Sequence, residues 1–323
     1  MRIEEAPRVR LAHLPTPVQR AGRLSAALGG AEIWIKRDDC AGGAAGGNKV
    51  RKLEFLLGRM LAEEKRVAVT FGGMQSNHAR ETAAACARLG VACELILVRV
   101  VPRSTDAYEQ SGNVLLDEVL GAQIHVVDDE QAAAECFMDL YEQHGEAMFG
   151  IGPGGSDATG SLGYVQAAFE IAEQMPEPPG RIFVAAGSSG TAAGLLAGLG
   201  MTGIDAALHA VAVYHDAERT REDIERIARE LGVATEDLGR LRVHGEWLGE
   251  GYGLPTPETV AAIDLFARTE GLVLDPVYTG KAAAAMIAMC RNGGIAAGDR
   301  VMFVHTGGLP GLFAYPELFA RVP

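Results

Sequence analysis

The stretch RIFVAAGSSGTAAGLLAGL, residues 181–199, decides the fold class. Ile182 to Ala186 are apolar at successive positions, which suits a strand covered on both faces. The turn Gly187, Ser188, Ser189, Gly190, Thr191 follows, and then a segment rich in Ala and Leu with helical character. Strand, glycine turn and helix in that order form half of a right-handed βαβ unit. The same alternation recurs along the chain: IWIK (33–36), VAVTF (67–71), CELILV (93–98), QIHVV (123–127), LHAVAVY (208–214) and VMFVH (301–305) are separated by amphipathic, Ala-rich segments. The expected class is α/β, doubly wound, with open twisted parallel sheets. EQMPEPPGR (173–181) reads as a surface loop as readily as a domain boundary, and AAAAMIAM (282–289) as a closely packed helix face.

Composition narrows the function. The 323 residues are 48% hydrophobic, enough for one large or two ordinary cores, and carry a formal charge of −13 with no basic block. Nucleic acid and anionic membrane surfaces are therefore not expected partners. Cys40, Cys86, Cys93, Cys136 and Cys290 are odd in number, irregularly spaced and free of any CxxC pair, so neither a disulfide framework nor a metal site is expected. MRIEEAPRVRL lacks an apolar signal core, and no run approaches the ~20 apolar residues that a membrane span needs. The expectation is a cytoplasmic protein.

Open α/β sheets bind ligands where strands end and helices begin, and four glycine-rich stretches have that form. In WIKRDDCAGGAAGGNKVRKLEFLL (34–57), the pattern of Val50, Leu53, Phe55 and Leu56 reads as a helix with Lys49 in its first turn. The positive end of the helix dipole, together with burial, disfavours an ammonium there and promotes a neutral, nucleophilic amine. Lys52 shares that helix face. TFGGMQSNHARETAAACARLG (70–90) gathers Gln75, Ser76, Asn77 and His78 at one helix N-terminus, with Ser76 or Asn77 as the cap. The turn 187–191 is an anion nest. It has neither a Walker GK[ST] nor GxGxxG spacing, and a monophosphate suits it best. Finally, LDPVYTGKAAAAM (274–286) and VMFVHTGGLPGL (301–312) place Tyr278, Thr279 and Thr306 at strand ends, with Tyr252 upstream in GEGYGLPTPE (249–258). A dinucleotide oxidoreductase would need the missing fingerprint, and a non-catalytic amino-acid sensor would not need Lys49.

GGNKVRKLEFLL (46–57), QSNHARETAA (75–84), SGNVLLDEVLGA (111–122), GSSGTAAGL (187–195), GEGYGLP (249–255), DPVYTGK (275–281) and HTGG (305–308) occur in that order over almost the whole chain. Together they resemble the pyridoxal-phosphate enzymes of the aminocyclopropanecarboxylate deaminase and D-cysteine desulfhydrase family, which also includes L-cysteate sulfo-lyases. The resemblance implies the tryptophan-synthase β-type fold (fold type II). Residues 51–157 would then form a small domain inserted in a large cofactor-binding domain made of 1–50 and 158–323. It implies pyridoxal 5'-phosphate as cofactor, a small amino acid as substrate and a homodimer.

By the same resemblance Lys49 matches the lysine that bonds the cofactor, and Asn77 the partner of its phenolic oxygen. Gly187, Ser188, Ser189, Gly190 and Thr191 match the phosphate cradle, and Ser76 the position that handles the substrate carboxylate or a proton. Tyr252 and Tyr278 match active-site tyrosines. Lys52 is expected to stay charged and help neutralise the phosphate, and Gln75 to His78 to meet the substrate. The deaminase branch resembles YEGK and HLGG where this chain has Thr279 and Thr306. Lacking a carboxylate beside the ring nitrogen, the site is expected to favour loss of a β-leaving group over opening of a strained ring. D-cysteine desulfhydrase is thus the first expectation and L-cysteate sulfo-lyase the second, ahead of aminocyclopropanecarboxylate deaminase or a racemase. Ala282 to Ala285 depart from the Gly- and Met-containing family pattern.

Overall fold

The structure, a computed structural model, describes residues 3–175 and 177–319. Pro176, within the expected loop 173–181, lies outside the described residues. Ten strands are present among them: β1 Val18–Arg20, β2 Glu32–Lys36, β3 Val67–Gly73, β4 Ala92–Val98, β5 Gln123–Val127, β6 Met148–Ile151, β7 Arg181–Ala186, β8 Ala207–Ala212, β9 Leu241–His244 and β10 Arg300–Val304. They form a six-stranded sheet of order β1-β2-β10-β7-β8-β9 and a four-stranded sheet of order β5-β4-β3-β6. Apart from β1, which is antiparallel to β2, every neighbour pairing is parallel. The seven expected strand runs all lie in these sheets. The three that sequence did not indicate, β1, β6 and β9, are edge strands of three or four residues, too short for a sustained apolar run.

The longer helices are α1 Lys49–Ala62, α2 Asn77–Leu89, α3 Gly112–Val119, α4 Glu130–His144, α5 Ala158–Gln174, α6 Gly190–Thr202, α7 Ala217–Glu230, α8 Pro257–Glu270 and α9 Thr279–Arg291. They cover both faces of the larger sheet. On β7, Ile182 and Val184 pack with Leu195, Leu196 and Leu199 of α6, whereas Phe183 packs on the opposite side with Ala282 to Met286 of α9. That opposition explains the continuous apolar run in β7. It also explains the alanine-rich face of α9, where small side chains let the helix lie close to the sheet. Leu95 and Leu97 on β4 likewise face one core, and Ile96 and Val98 the other. Among the described residues no helix is long and apolar enough to cross a membrane.

Helix α1 bridges the two sheets. Leu53, Leu56, Leu57 and Met60 pack into the core of the four-stranded sheet, while α5 lies along its other side. At Gly163 of α5 an added Cβ would sit 2.4 Å from the Arg51 carbonyl, so the crossing depends on that glycine. Arg51 itself is fully buried. Its guanidinium donates to Asp38 at 2.9 and 3.0 Å and to both carboxylate oxygens of Glu170 at 2.8 Å. Lys36 Nζ donates to Glu170 at 2.7 Å. Burial acts to raise the Asp38 pKa, but Arg51, Lys36 and the Tyr164 hydroxyl outweigh it and hold the carboxyl below its ordinary value. The stability this group contributes is therefore present at neutral pH and is lost as pH falls through its folded pKa. Arg51→Met should leave two buried carboxylates underpaired and destabilise the protein by about 3–5 kcal/mol. Urea unfolding at pH 7 measures it, and a loss under ~1 kcal/mol would show the network to be dispensable.

Candidate active site

Four helices, α1, α2, α6 and α9, begin where strands or loops end on the same side of the molecule, and their N-terminal turns surround a cavity of about 690 Å³. Its walls include Lys49, Ser76, Asn77, His78, Tyr252 and Tyr278, and on the facing side Gly187, Ser188, Ser189, Thr191 and Thr306. Most of the residues singled out in the sequence are thus brought together. Four stand behind the wall. Gly190 opens α6 just inside it, Lys52 lies under it, and Gln75 and Thr279 hold the frame; Gln75 accepts from Asn113 N–H and donates to the carbonyls of Tyr108 and Ser111.

Lys49 is the first residue of α1. Its Nζ lies 3.5 Å from where a Cβ on Gly154 would stand, and Ser188 Oγ lies 2.0 Å from the same point. Glycine at 154, with φ 64, therefore lets the lysine and the turn 187–191 approach each other. Burial pushes the Lys49 amine below its ordinary pKa, and the charge of Glu81 opposes that shift. Lys52 is fully buried and donates to the Gly154 carbonyl at 3.1 Å and to Ser156 Oγ at 2.9 Å. Ser156 Oγ is in turn 2.8 Å from Ser188 Oγ and accepts the Gly190 N–H at 3.2 Å. Lys52 therefore reaches the cradle through one serine. Burial and then the Lys49 charge push its pKa well down, an effect the sequence alone does not reveal.

The cradle has the geometry of an anion nest. Ser189 adopts the left-handed region (φ 69) and makes no side-chain cap, leaving the first turn of α6 to other partners. Asn48 Nδ2 donates to Thr191 Oγ1 at 2.9 Å, joining the start of α1 to the start of α6.

Ser76 is the N-cap of α2, its Oγ accepting the Ala79 N–H at 3.1 Å. Asn77 Oδ1 accepts from Asn113 Nδ2 at 2.9 Å, which fixes the amide so that Asn77 Nδ2 is left as a donor. Thr70 donates its hydroxyl proton to the Ile151 carbonyl at 2.9 Å, so the 3.0 Å contact to His78 Nε2 requires that nitrogen to be the donor. This hydrogen-bond pattern assigns the Nε2–H tautomer. His78 Nδ1 is then a bare lone pair, buried without a partner, and burial followed by Lys49 and Lys52 drives the ring well below its ordinary pKa. His78 therefore offers an acceptor, not the positive charge a substrate carboxylate would prefer.

Tyr252 Oη and Tyr278 Oη are 2.5 Å apart. Burial is the main cause raising both phenols. Lys281 ties the Tyr252 loop to α9 by donating to the carbonyls of Leu248 and Gly251 at 2.7 and 2.9 Å. Tyr278 is the N-cap of α9 and not a strand end as its sequence position indicated; residues 272–278 form no strand because Asp275 folds them into a cap. Asp275 Oδ1 accepts the Thr279 N–H and hydroxyl at 2.8 and 2.6 Å, and Oδ2 the amides of Val277 and Tyr278, each at 2.8 Å. The Thr279 hydroxyl is thus engaged by Asp275, and it is Asp275, not Thr279, that lines the cavity. Asp275, Asn48, Gly154 and Ser156 are residues sequence reasoning missed. The Gly-Pro-Gly-Gly run at 152–155 was the available signal for the last pair.

A family model described as pyridoxal-phosphate dependent enzyme matches residues 9–307. This chain belongs to the pyridoxal-phosphate-dependent enzymes. D-cysteine desulfhydrases from Salmonella newport (strain SL254) and Salmonella choleraesuis (strain SC-B67) are each 39% identical to it over 319 residues, 96% of this chain and 96% of theirs. A crystal structure of an ACC deaminase homologue superposes with a TM-score of 0.87 at 36% identity, covering 98% of this chain and 96% of the other. Threonine deaminase isoform 2 from Solanum lycopersicum, in its processed form, shares the fold with a TM-score of 0.69 at 18% identity over 98% of this chain and 86% of its own. The enzyme has fold type II, as the ordered motifs implied. Gly154→Ala would drive a methyl into Ser188 and strain a left-handed turn. It should weaken cofactor retention on the order of tenfold or more while leaving far-UV circular dichroism unchanged; retention equal to wild type on dialysis would refute this reading of the turn.

Proposed function

We propose that this enzyme is a carbon–sulfur lyase that converts D-cysteine and water to pyruvate, sulfide and ammonia. The observation that carries the reading is a lysine amine at the first position of a buried helix, set across Gly154 from a glycine–serine turn at a second helix N-terminus. The naming of relatives 39% identical over 96% of their length as D-cysteine desulfhydrases supports the substrate.

The donors present fit pyridoxal phosphate. The amides and hydroxyls of 187–191, backed by Ser156 and Lys52, suit a phosphate; Lys49 suits an aldehyde, Asn77 Nδ2 a phenolic oxygen and Thr306 a ring nitrogen. When bound, the cofactor supplies an electrophilic carbonyl and a conjugated ring that stabilises negative charge at Cα. The amides opening α2 at Ser76 to His78 hold the substrate carboxylate, using the positive end of the helix rather than a charged side chain. Lys49 Nζ receives the Cα proton, and the paired hydroxyls of Tyr252 and Tyr278 hold a proton within reach of the departing sulfur. Both Asp275, whose carboxylate is engaged by four donors at the opening of α9, and Thr306 line the cavity; we assign the uncharged Thr306 to the ring nitrogen, which suits β-elimination.

We read residues 51–157 as the inserted smaller domain, a division supported by the four-stranded sheet taking all its strands from that span. A homodimer is supported by exposed Leu115, Val119 and Phe313 around α3. Cytoplasmic residence is supported by five unpaired cysteines.

Turnover of D-cysteine, L-cysteine, L-cysteate, 3-chloro-D-alanine and aminocyclopropanecarboxylate, followed as pyruvate for the first four and 2-oxobutyrate for the last, tests the substrate. D-cysteine should give pyruvate and sulfide in equal amounts. Turnover of aminocyclopropanecarboxylate alone would contradict the lyase reading, and preference for L-cysteate would move it to sulfite release. Lys49→Ala should abolish turnover, whereas Lys52→Ala should lower cofactor affinity and leave turnover at saturating cofactor within about tenfold; equal loss in both would undo the separation of roles.

A further inference from the structure

Helix α1 begins without a cap from its own N-cap residue. Asn48 makes no capping bond, because its amide is directed to Thr191. The first-turn amides are served from another helix: Glu81 of α2 accepts the Val50 N–H on Oε2 at 2.7 Å. Glu81 is 1% exposed. Its second oxygen, Oε1, is buried with no hydrogen-bond partner. The Arg80 guanidinium stands 3.5 Å from it but directs its own donors to Asn113 and to the carbonyls of Ala44 and Gly46. Gly47 makes the approach possible, since a Cβ there would lie 2.2 Å from Oε1.

A helix cap needs only a neutral acceptor, and a glutamine would serve. Burying an ionisable carboxylate with one oxygen unpartnered is costly for a cap alone. We propose that Glu81 is a positioning residue for the reaction: fixed on the amides that open α1, its carboxylate keeps Lys49 Nζ basic enough to receive the substrate's Cα proton. The inference rests on the role of Lys49 given under the proposed function. Burial and the positive end of α1 both disfavour an ammonium at Lys49, and Glu81 is the charge that opposes them. The proton passes from Cα to Nζ and no bond to Glu81 forms. Burial raises Glu81 in turn, against the lowering effects of Arg80, the amides of Val50 and Lys49, and the Lys49 ammonium. The other titratable groups facing this pair are Lys52 on α1, His78 on α2 and Tyr164 on α5, with Asp117 on α3 behind Arg80.

Glu81→Gln keeps the shape and an acceptor for Val50. In cofactor-free protein, competitive acetylation with acetic anhydride across pH, read peptide by peptide, reports the titration of Lys49. Its midpoint should fall by at least ~1 unit in the variant, about tenfold in proton affinity, and the acid limb of kcat, which reports the amine once substrate has displaced it, should move down with it. An unchanged Lys49 midpoint in folded Glu81→Gln protein overturns the proposal. If that variant does not fold, the reciprocal measurement decides: Lys49→Ala should raise the titration of Glu81, followed by 13C NMR of labelled glutamate, and no movement overturns it. Failure of the wild-type enzyme to make pyruvate from D-cysteine would instead defeat the functional reading, leaving the labelling result to be judged separately.

Discussion

The guanidinium of Arg51, fully buried, is clamped between Asp38 and Glu170, and these contacts fix where helix α1 begins. Asp38 sits after β2, Glu170 on α5, and Arg51 one half-turn along from Lys49 on α1. A single side chain therefore holds Lys49 in register with the larger sheet while the apolar face of α1 packs on the smaller one. The cost of burying these charges is offset only if every partner stays in place. The arrangement consequently specifies position more than it adds stability.

From that fixed point the rest of the site follows by electrostatics. Several helix N-termini converge on one cavity, each presenting amide dipoles that favour negative charge. The turn 187–191 supplies one such nest, the opening of α2 a second, and Asp275 occupies the opening of α9 with its own carboxylate. Two lysines placed in this environment lose proton affinity by burial. In the reading proposed above, anions restore the balance: a phosphate for Lys52 through Ser156, and Glu81 for Lys49. A site so arranged lowers the proton affinity of its amines, which suits proton transfer at carbon.

Much of this was legible in the sequence. The seven apolar runs became strands because buried parallel strands must be apolar on both faces, and the glycine turns marked where ligands approach. The edge strands β1, β6 and β9 escaped notice because they are only three or four residues long, too short to show a pattern. Lys49, Ser76, Asn77, His78, Gly187, Ser188, Ser189, Thr191, Tyr252, Tyr278 and Thr306 reached the cavity wall. Gln75 and Thr279 did not, since each was already matched to partners distant in the chain or hidden within its own turn, Gln75 to Asn113 and Thr279 to Asp275. The burial of Lys52, the tautomer of His78 and the cap on α1 from Glu81 all depend on contacts between separate helices, and no local pattern announces those.

The account depends on Lys49 being the residue that bonds the cofactor. Reduction of the purified enzyme with borohydride, proteolysis and mass-spectrometric mapping of the modified peptide test this most directly. The expected result is loss of the visible absorbance and a pyridoxyl group on Lys49 alone. A protein that carries no cofactor, or carries it on Lys52 or any other lysine, would contradict the account.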